Sequence, residues 1–214
     1  MKNKIFACIL WVMTFALMAC VFLMPEIVPT HWGISGKVDA YGSRYFMLAL
    51  DLLGLATYYG MGLTRKIDPE KESIEKQIDT YELFRMLLGT LMLGLCGYIT
   101  LMIFYPTLNI QMGLCLLLGL FFIAMGNYSP RIPKNYFLGI RTPWTLKNEK
   151  VWTKSHRFGG IVDVITGLCI IVCAFLPPVL SIILLLVSVL AGTGVIVAYS
   201  YLIYNKITRE SHEQ

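Results

Sequence analysis

Residues 179–204 read VLSIILLLVSVLAGTGVIVAYSYLIY, an apolar run that contains no charged side chain. An α-helix rises about 1.5 Å per residue, so this run is long enough to cross a hydrocarbon core about 30 Å thick. An uncharged apolar run of this length predicts a transmembrane helix, and the fold of the whole chain is inferred outward from it.

Five further stretches have the same character, and Asp51, Arg85 and Asp163 are the only full charges inside the six. Apolar residues make up 57% of the chain and charged residues 14%, with a mean hydropathy of +0.66. A soluble domain carries about 25% charged residues, and a membrane barrel alternates apolar with polar residues. The sequence therefore predicts an all-α integral membrane bundle of six transmembrane helices. The predicted spans are residues 5–24, 45–63, 83–105, 110–128, 159–176 and 179–204.

Basic residues are distributed unequally between the two sides of this bundle. Of the 18 Lys and Arg residues, 15 lie at the N-terminus, in the second and fourth connections or in the C-terminal tail. Only Lys37 and Arg44 lie on the other side. Because cytoplasmic loops are enriched in Lys and Arg, both termini are predicted to be cytoplasmic. The net charge of +5 then serves orientation and lipid headgroups, and direct nucleic-acid binding is not expected.

The first connection, residues 25–44, reads PEIVPTHWGISGKVDAYGSR and is predicted to face the outside. Its prolines and glycines exclude a regular helix, and Gly36 and Gly42 are expected to allow tight turns. Two interpretations of this connection remain open. It is either a compact lid anchored by interfacial aromatic rings or a recognition surface for a ligand that arrives from outside. The candidate recognition residues are Pro25, Pro29, His31, Trp32, Gly36, Asp39, Tyr41 and Gly42.

The fourth connection, residues 129–158, holds most of the stretch NYFLGIRTPWTLKNEKVWTKSHRFGG, residues 135–160. Thr145 is expected to cap a helix that begins at Leu146, and Gly159-Gly160 is expected to turn this helix into the fifth span. The helix is interpreted either as a basic amphipathic helix on the inner leaflet or as a docking surface for a cytoplasmic protein. The candidate residues for the docking surface are Asn135, Gly139, Arg141, Thr142, Pro143, Trp144, Glu149, Trp152, His156 and Arg157.

Two carboxyl groups are predicted inside the membrane. A charged carboxylate at the centre of a helix span costs about 2.5–3.5 kcal/mol, so each group is expected to have a partner or a polar cavity. Asp163 is expected to pair with Arg157, which lies six residues before it. Asp51 has no cation nearby in the sequence and is expected to mark a polar pocket under the first connection.

The sequence contains no recognisable catalytic motif, and neither a cofactor nor a metal ion is predicted. His31 is predicted outside and His156 inside, so the two imidazoles cannot share one site. The cysteines fall inside the predicted spans and are expected to remain buried thiols without disulfides. These observations favour a protein that is not an enzyme.

Two motifs resemble the SdpI family of bacterial membrane proteins. The pattern P-x-x-x-P-x-H-W-x-x-x-G-x-x-D-x-Y-G-S, from Pro25 to Ser43, resembles the small domain of unknown function often found at the N-terminus of these proteins. The pattern N-Y-x-x-G-I-R-T-P-W-T-L-x-N-E-x-V-W-x-K-x-H-R-x-G-G, from Asn135 to Gly160, resembles their defining C-terminal segment. Together with their flanking helices, the two motifs account for most of the chain.

The resemblance implies a protein of the bacterial cytoplasmic membrane that gives immunity to a secreted antimicrobial peptide. It also implies a receptor that holds a cytoplasmic transcriptional repressor at the membrane, so the expected partners are the lipid bilayer, a toxin peptide and a repressor. A small-molecule or ion transporter is the alternative. The chain is divided into a two-helix unit (residues 1–64), a charged cytoplasmic loop (65–82) and a four-helix unit like that of the SdpI family (83–214).

Overall fold

A computed structural model of the protein describes the backbone of residues 2–212 and the side chains of residues 3–210. Residue 1 of the predicted two-helix unit and residues 213–214 of the predicted four-helix unit lie outside the described part. The side chain of Lys2, which was counted among the basic residues of the N-terminus, also lies outside it. Within residues 2–212, six helices are long and apolar enough to cross a membrane, which confirms the predicted fold class. They are α1 (Lys2–Val21), α2 (Phe46–Ile67), α4 (Ile78–Phe104), α5 (Ile110–Tyr128), α7 (Glu149–Cys173) and α8 (Pro178–His212).

Shorter elements lie between these helices. A β-hairpin, formed by β1 (Ile27–Trp32) and β2 (Val38–Ser43), joins α1 to α2. The helix α3 (Lys71–Lys76) lies between α2 and α4. A 3-10 turn (Ser129–Arg131) and the helix α6 (Pro143–Lys147) lie between α5 and α7.

The hairpin adds a small antiparallel sheet to the predicted all-α bundle. Val28 lies opposite Gly42, and the turn is closed by a hydrogen bond from the Gly33 N–H to the carbonyl oxygen of Lys37 at 2.9 Å. Gly36 has φ +75°, so the tight turn predicted there is confirmed. The turn predicted at Gly42 is wrong, because this residue lies within β2.

The helices pack as two linked groups of three. Helices α1, α2 and α4 contact one another, α5 contacts α7, and α7 contacts α8. Contacts between α4 and α5 join the groups. The third long helix, which the sequence division assigns to the C-terminal unit, thus packs against both halves of the chain.

Glycines set the distance between α5 and α7. A Cβ atom added to Gly126 would lie 2.5 Å from the carbonyl oxygen of Gly160, and one added to Gly119 would lie 2.8 Å from the carbonyl oxygen of Gly167. These separations are far below van der Waals contact, so only glycine fits at this crossing. Small residues allow such close backbone packing between membrane helices.

The structure corrects the predicted course of the fourth connection. Thr142, and not Thr145, caps α6, and the two threonines form a reciprocal capping box. Asn148 then caps α7, which continues through Gly159-Gly160 without a turn. The helix start predicted at Leu146 and the turn predicted at Gly159-Gly160 are therefore wrong. Gly160 serves close packing against α5, since a Cβ atom there would lie 2.5 Å from the carbonyl oxygen of Gly126, and one on Gly159 would lie 2.7 Å from Ile140 Cδ1.

The two ends of the bundle differ in character. The hairpin and the connections 105–109 and 174–177 form one end, which we call the hairpin end. Helices α3 and α6 and residues 129–142 form the other end, which we call the basic end.

Candidate functional site

Apolar contacts seat the hairpin on the bundle. Val28 is fully buried and packs in a cluster with Val21, Met24 and Met47. Arg44 donates a hydrogen bond from Nη1 to the carbonyl oxygen of Met24 at 2.8 Å. The hairpin therefore has a defined position over helices α1 and α2.

The outer face of the hairpin is polar and open. His31 Nδ1 lies 2.6 Å from Asp39 Oδ1, and the side chains are 69% and 51% exposed. A Cβ atom on Gly33 would lie 2.8 Å from Asp39 Oδ2, so the absence of a side chain there makes room for this pair. Tyr41 is also exposed. The structure thus brings the predicted residues His31 and Asp39 together, with Tyr41 on the same hairpin.

A cavity of about 490 Å³ lies beneath the tip of the hairpin, between that tip and helices α4, α5 and α8. At its edge, Gln111 donates hydrogen bonds from Nε2 to the carbonyl oxygens of Cys173 at 2.8 Å and Leu176 at 2.7 Å. These bonds fasten α5 to the end of α7. The lining is mainly apolar and includes Trp32, Ile34, Leu114, Leu118, Ile182 and Leu185.

Sequence reasoning predicted only the hairpin side of this cavity. The predicted candidates His31, Trp32 and Gly36 line it. Most of the helix residues in the lining are ordinary apolar positions within predicted spans. No local pattern distinguishes those positions from lipid-facing ones. Asp51, expected under this connection, is not among the described residues that line the cavity.

Asp51 lies instead in the packed core. Its side chain is fully buried, and neither carboxyl oxygen has a hydrogen-bond partner among the described residues. The thiol of Cys96 donates to the carbonyl oxygen of Leu50 at 3.0 Å, next to this carboxyl group. The buried hydroxyls of Thr14 and Thr100 in the neighbouring helices also lack partners among the described residues.

The predicted ion pair of Asp163 is wrong, because no salt bridge joins it to Arg157 among the side chains of residues 3–210. Six helical residues rotate the side-chain direction by about 600°, which places the two groups about 120° apart around the helix. Asp163 is partly buried on α7, while Arg157 is exposed.

At the basic end, His156 and Trp152 form an internal support. The ring of His156 accepts a hydrogen bond at Nε2 from the Ile140 N–H at 2.9 Å, and its Nδ1 lies 2.9 Å from the carbonyl oxygen of Trp152. These partners require the neutral tautomer with its proton on Nδ1. The two rings stack with centroids 4.1 Å apart, and Trp152 donates from Nε1 to the carbonyl oxygen of Ile132.

Asn135 and Gly139 shape the segment that His156 supports. Oδ1 of the fully buried Asn135 accepts hydrogen bonds from the backbone N–H groups of Phe137 at 2.9 Å and Leu138 at 2.6 Å. Gly139 has φ +97°, and a Cβ atom there would clash with the imidazole ring of His156. These candidate residues therefore fix the shape of the segment from inside.

Helix α6 is attached to α8 through another candidate residue. Trp144 donates a hydrogen bond from Nε1 to Ser200 Oγ at 2.8 Å, and its ring packs edge-on against Tyr201. Pro143 is exposed in the first turn of α6.

Tyr136, Phe137 and the candidate residue Arg141 are exposed at the surface of this segment. Tyr136 and Phe137 are 43% and 39% exposed, and Arg141 donates from Nη1 to the carbonyl oxygen of Tyr136 at 2.9 Å. Glu149 and Arg157 are exposed candidates, whereas Trp152 and His156 are 2% and 1% exposed. Sequence reasoning did not select Tyr136 or Phe137 as a candidate residue.

Helix α3 and its preceding turn are joined to this segment. Asp68, which is 2% exposed, accepts hydrogen bonds at Oδ2 from the Tyr136 N–H (2.9 Å) and at Oδ1 from the Glu70 N–H (2.8 Å). Lys134 Nζ lies 2.8 Å from Glu70 Oε1. Residues 65–82, which were predicted as a charged loop, thus help to hold the C-terminal motif.

Together, these features define a multi-pass helical membrane protein with an ordered hairpin at one end and an ordered connecting segment at the other. No metal site of three or more His, Cys, Asp or Glu side chains occurs among the described residues. Residues 131–202 match the SdpI/YfhL protein family, and residues 6–55 match a domain of unknown function (DUF1648).

The chain is also 28% identical to "Immunity protein SdpI" of Bacillus subtilis (strain 168), over 97% of this chain and 98% of that protein. No solved structure matches it. The chain is therefore similar to the SdpI/YfhL family, and it is a multi-pass protein of the bacterial plasma membrane.

Proposed function

We propose that the protein acts without catalysis as an immunity protein that protects its cell from a secreted antimicrobial peptide. The hairpin over an apolar cavity is the structural observation that supports this proposal most strongly, because it offers a place for a peptide to bind. The similarity of nearly the whole chain to an immunity protein supports it independently. In this proposal the hairpin end faces outward and the basic end faces the cytoplasm, in agreement with the distribution of Lys and Arg.

The hairpin end suits an amphipathic peptide. His31, Asp39 and Tyr41 offer exposed polar groups, and the cavity below offers an apolar space for side chains. Membrane-active peptides carry both kinds of surface. The peptide would therefore place polar groups on the hairpin and apolar side chains between α5 and α8.

The experiment is a killing assay in a sensitive host that expresses the protein and receives peptide fractions secreted by the source bacterium. We expect protection by the wild type, and reduced protection by Asp39→Ala and by Leu114→Trp, which fills the cavity. Lys150→Gln, an exposed change at the basic end, is the matched control and should leave peptide protection intact. Full sensitivity of cells that contain normal amounts of wild-type protein would overturn the immunity proposal.

We further propose that the basic end holds a cytoplasmic repressor at the membrane when the peptide is bound. The exposed pair Tyr136 and Phe137 beside Arg141 would form the contact, since aromatic and Arg side chains dominate protein interfaces. In this arrangement Trp152 and His156 would maintain the shape of the surface without touching the partner.

A co-sedimentation assay tests this contact. A purified repressor, whose gene lies next to the gene of this protein, is mixed with membranes that contain the protein. We expect the Phe137→Ser variant to lose the repressor in the presence of peptide and the Lys150→Gln variant to retain it. Retention by Phe137→Ser together with loss in Lys150→Gln would indicate attraction by charge alone and would contradict a specific contact.

Transport is a second candidate function. It is favoured by the buried carboxyl group of Asp51, which has no hydrogen-bond partner among the described residues. Intramembrane carboxyl groups often line ion pathways. However, transporter sites typically form at broken helices, and α2 is continuous around Asp51. Substrate flux into proteoliposomes that disappears in Asp51→Asn would support transport, and unchanged flux would exclude a role of this carboxyl group.

A further inference from the structure

A cationic pocket at the basic end lies outside the surfaces used in the proposed function. It has a volume of about 660 Å³ and lies between helices α2, α3 and the start of α4. Five cations and two carboxylates contribute to its wall. The lining residues are Gly62, Arg65, Lys66, Lys71, Glu72, Glu75, Lys76 and Arg85.

Internal ion pairs neutralise only the two arginines. Arg65 pairs with Glu75 at 2.8 Å and with Glu82 at 3.2 Å, and Arg85 pairs with Glu82 at 3.0 Å. Of the charged lining residues that remain, three are lysines and one is Glu72. None of these lysines forms an ion pair within the part of the chain whose side chains are described, so the pocket keeps a positive charge.

Arg85 is held in place at the inner wall of the pocket. Its guanidinium carbon lies 3.8 Å from the ring centroid of Tyr58, and its Glu82 partner is 3% exposed. A Cβ atom at Gly62 would approach Arg85 Nη1 to 3.1 Å, so glycine provides room for the guanidinium group. The pocket wall thus contains a cation that is held in a fixed position.

Helix α3 carries two of the lysines at a fixed position. Its Ile74 side chain is fully buried in a cluster with Tyr81 and Phe84, which anchors the short helix to the bundle. Lys71 and Lys76 are exposed on the same helix and reach the pocket wall. The cationic wall is therefore part of the packed structure.

An apolar stripe on α2 adjoins this pocket. Tyr59, Leu63 and Ile67 follow one another at four-residue spacing and are 43%, 61% and 70% exposed. Side chains at this spacing share one helix face. A cationic pocket beside an exposed apolar stripe matches a ligand with an anionic head and an apolar tail.

We propose that this pocket binds the phosphate headgroup of an anionic phospholipid, whose acyl chains lie along the α2 stripe. Basic pockets between transmembrane helices are suited to anionic lipid headgroups, and a guanidinium group can donate two parallel hydrogen bonds to one phosphate. The lipid would connect α2 to α3 and would stabilise the turn that contains Asp68.

Thermal unfolding and native mass spectrometry of the full-length protein in neutral detergent test this proposal. Phosphatidylglycerol, phosphatidylcholine and inorganic phosphate are added separately. We expect phosphatidylglycerol to raise the unfolding temperature and to remain bound, with little effect of the other two. A basic residue near an anionic membrane surface contributes roughly fivefold in affinity, so Lys71→Gln/Lys76→Gln should weaken phosphatidylglycerol binding by roughly 25-fold.

The matched control is Lys150→Gln/Lys154→Gln, which removes the same charge from exposed positions of α7. This variant should bind phosphatidylglycerol as the wild type does. Equal binding of phosphatidylglycerol and phosphatidylcholine, or equal losses in the two double variants, would overturn the proposal. Stabilisation by inorganic phosphate alone to the same extent would indicate a site for a free anion and would also overturn it.

Discussion

The Ile140 N–H donates a hydrogen bond to Nε2 of His156 at 2.9 Å, and this bond joins the connecting segment to helix α7. The acceptor is a buried side chain, so its loss leaves a backbone donor without a partner. The shape of the segment from Asn135 to Ile140 depends on this contact together with the internal hydrogen bonds of Asn135.

We therefore expect His156→Ala to destabilise the protein by about 2–4 kcal/mol, through the unpaired N–H and the cavity left behind. The unfolding temperature in detergent measures this change. His156→Gln should recover part of the stability, because its amide oxygen can accept a hydrogen bond. Lys154→Ala, an exposed change on the same helix, should have little effect, and an equal loss in that variant would refute this role of His156.

Asp68 provides a second test because it joins α3 to the segment. In Asp68→Ala the N–H groups of Tyr136 and Glu70 lose their acceptors. We expect trypsin to cleave this variant several times faster after Arg131 or Arg141 than it cleaves the wild type. Asp79→Ala removes an exposed carboxylate of α4 and should leave the cleavage rate unchanged. Equal rates in wild type and Asp68→Ala would show that the loop does not hold the segment.

The glycine crossing of α5 and α7 predicts a strong size dependence. Gly126→Val forces the two backbones apart, and we expect destabilisation near the upper end of the range of about 1–3 kcal/mol typical of overpacking. Gly97→Ala is the matched control, because no described atom lies within 4 Å of an added Cβ there. That variant should be neutral or slightly more stable, since alanine favours helices. Unfolding in detergent compares the two.

Unpartnered polar groups in the core predict variants with increased stability. Thr100 is 4% exposed, and its hydroxyl has no partner among the described residues. Thr100→Val replaces the hydroxyl with a methyl group of similar size, so we expect stabilisation of about 1 kcal/mol, seen as a higher unfolding temperature. Thr145→Val is the contrasting variant and should destabilise, because this hydroxyl donates to the carbonyl oxygen of Ile140. A destabilised Thr100→Val protein would indicate an essential polar contact of that hydroxyl.

The six spans could be predicted from the sequence because the length of an apolar run is a local property. Residues 110–128 coincide with α5, and the last predicted span lies inside α8. Helix α7 begins ten residues before the predicted fifth span, because Asn148 was not recognised as the cap of this helix. The Gly159-Gly160 pair suggested a turn, whereas the structure shows that Gly160 packs against Gly126 of α5 and Gly159 against the side chain of Ile140.

The candidate sites depend on contacts between distant parts of the chain. The hairpin was hidden in a loop with prolines and glycines, and its strands are defined by their pairing with each other. The cavity residues Leu114 and Ile182 carry no distinguishing local pattern. The sequence did indicate Asn135 and His156 as candidate residues, but it predicted that they contact a partner protein. Both side chains are buried, which indicates that they support the segment from inside.

Helix α7 runs without interruption from Glu149, beside the connecting segment, to Cys173, beside the cavity. Its 25 residues make a rod about 37 Å long. Near its start it carries His156, and its last turn is tied to α5 through Gln111. One unbroken helix thus joins the basic end to the hairpin end, so any tilt of α7 would move His156 and the Cys173 carbonyl that accepts from Gln111 together.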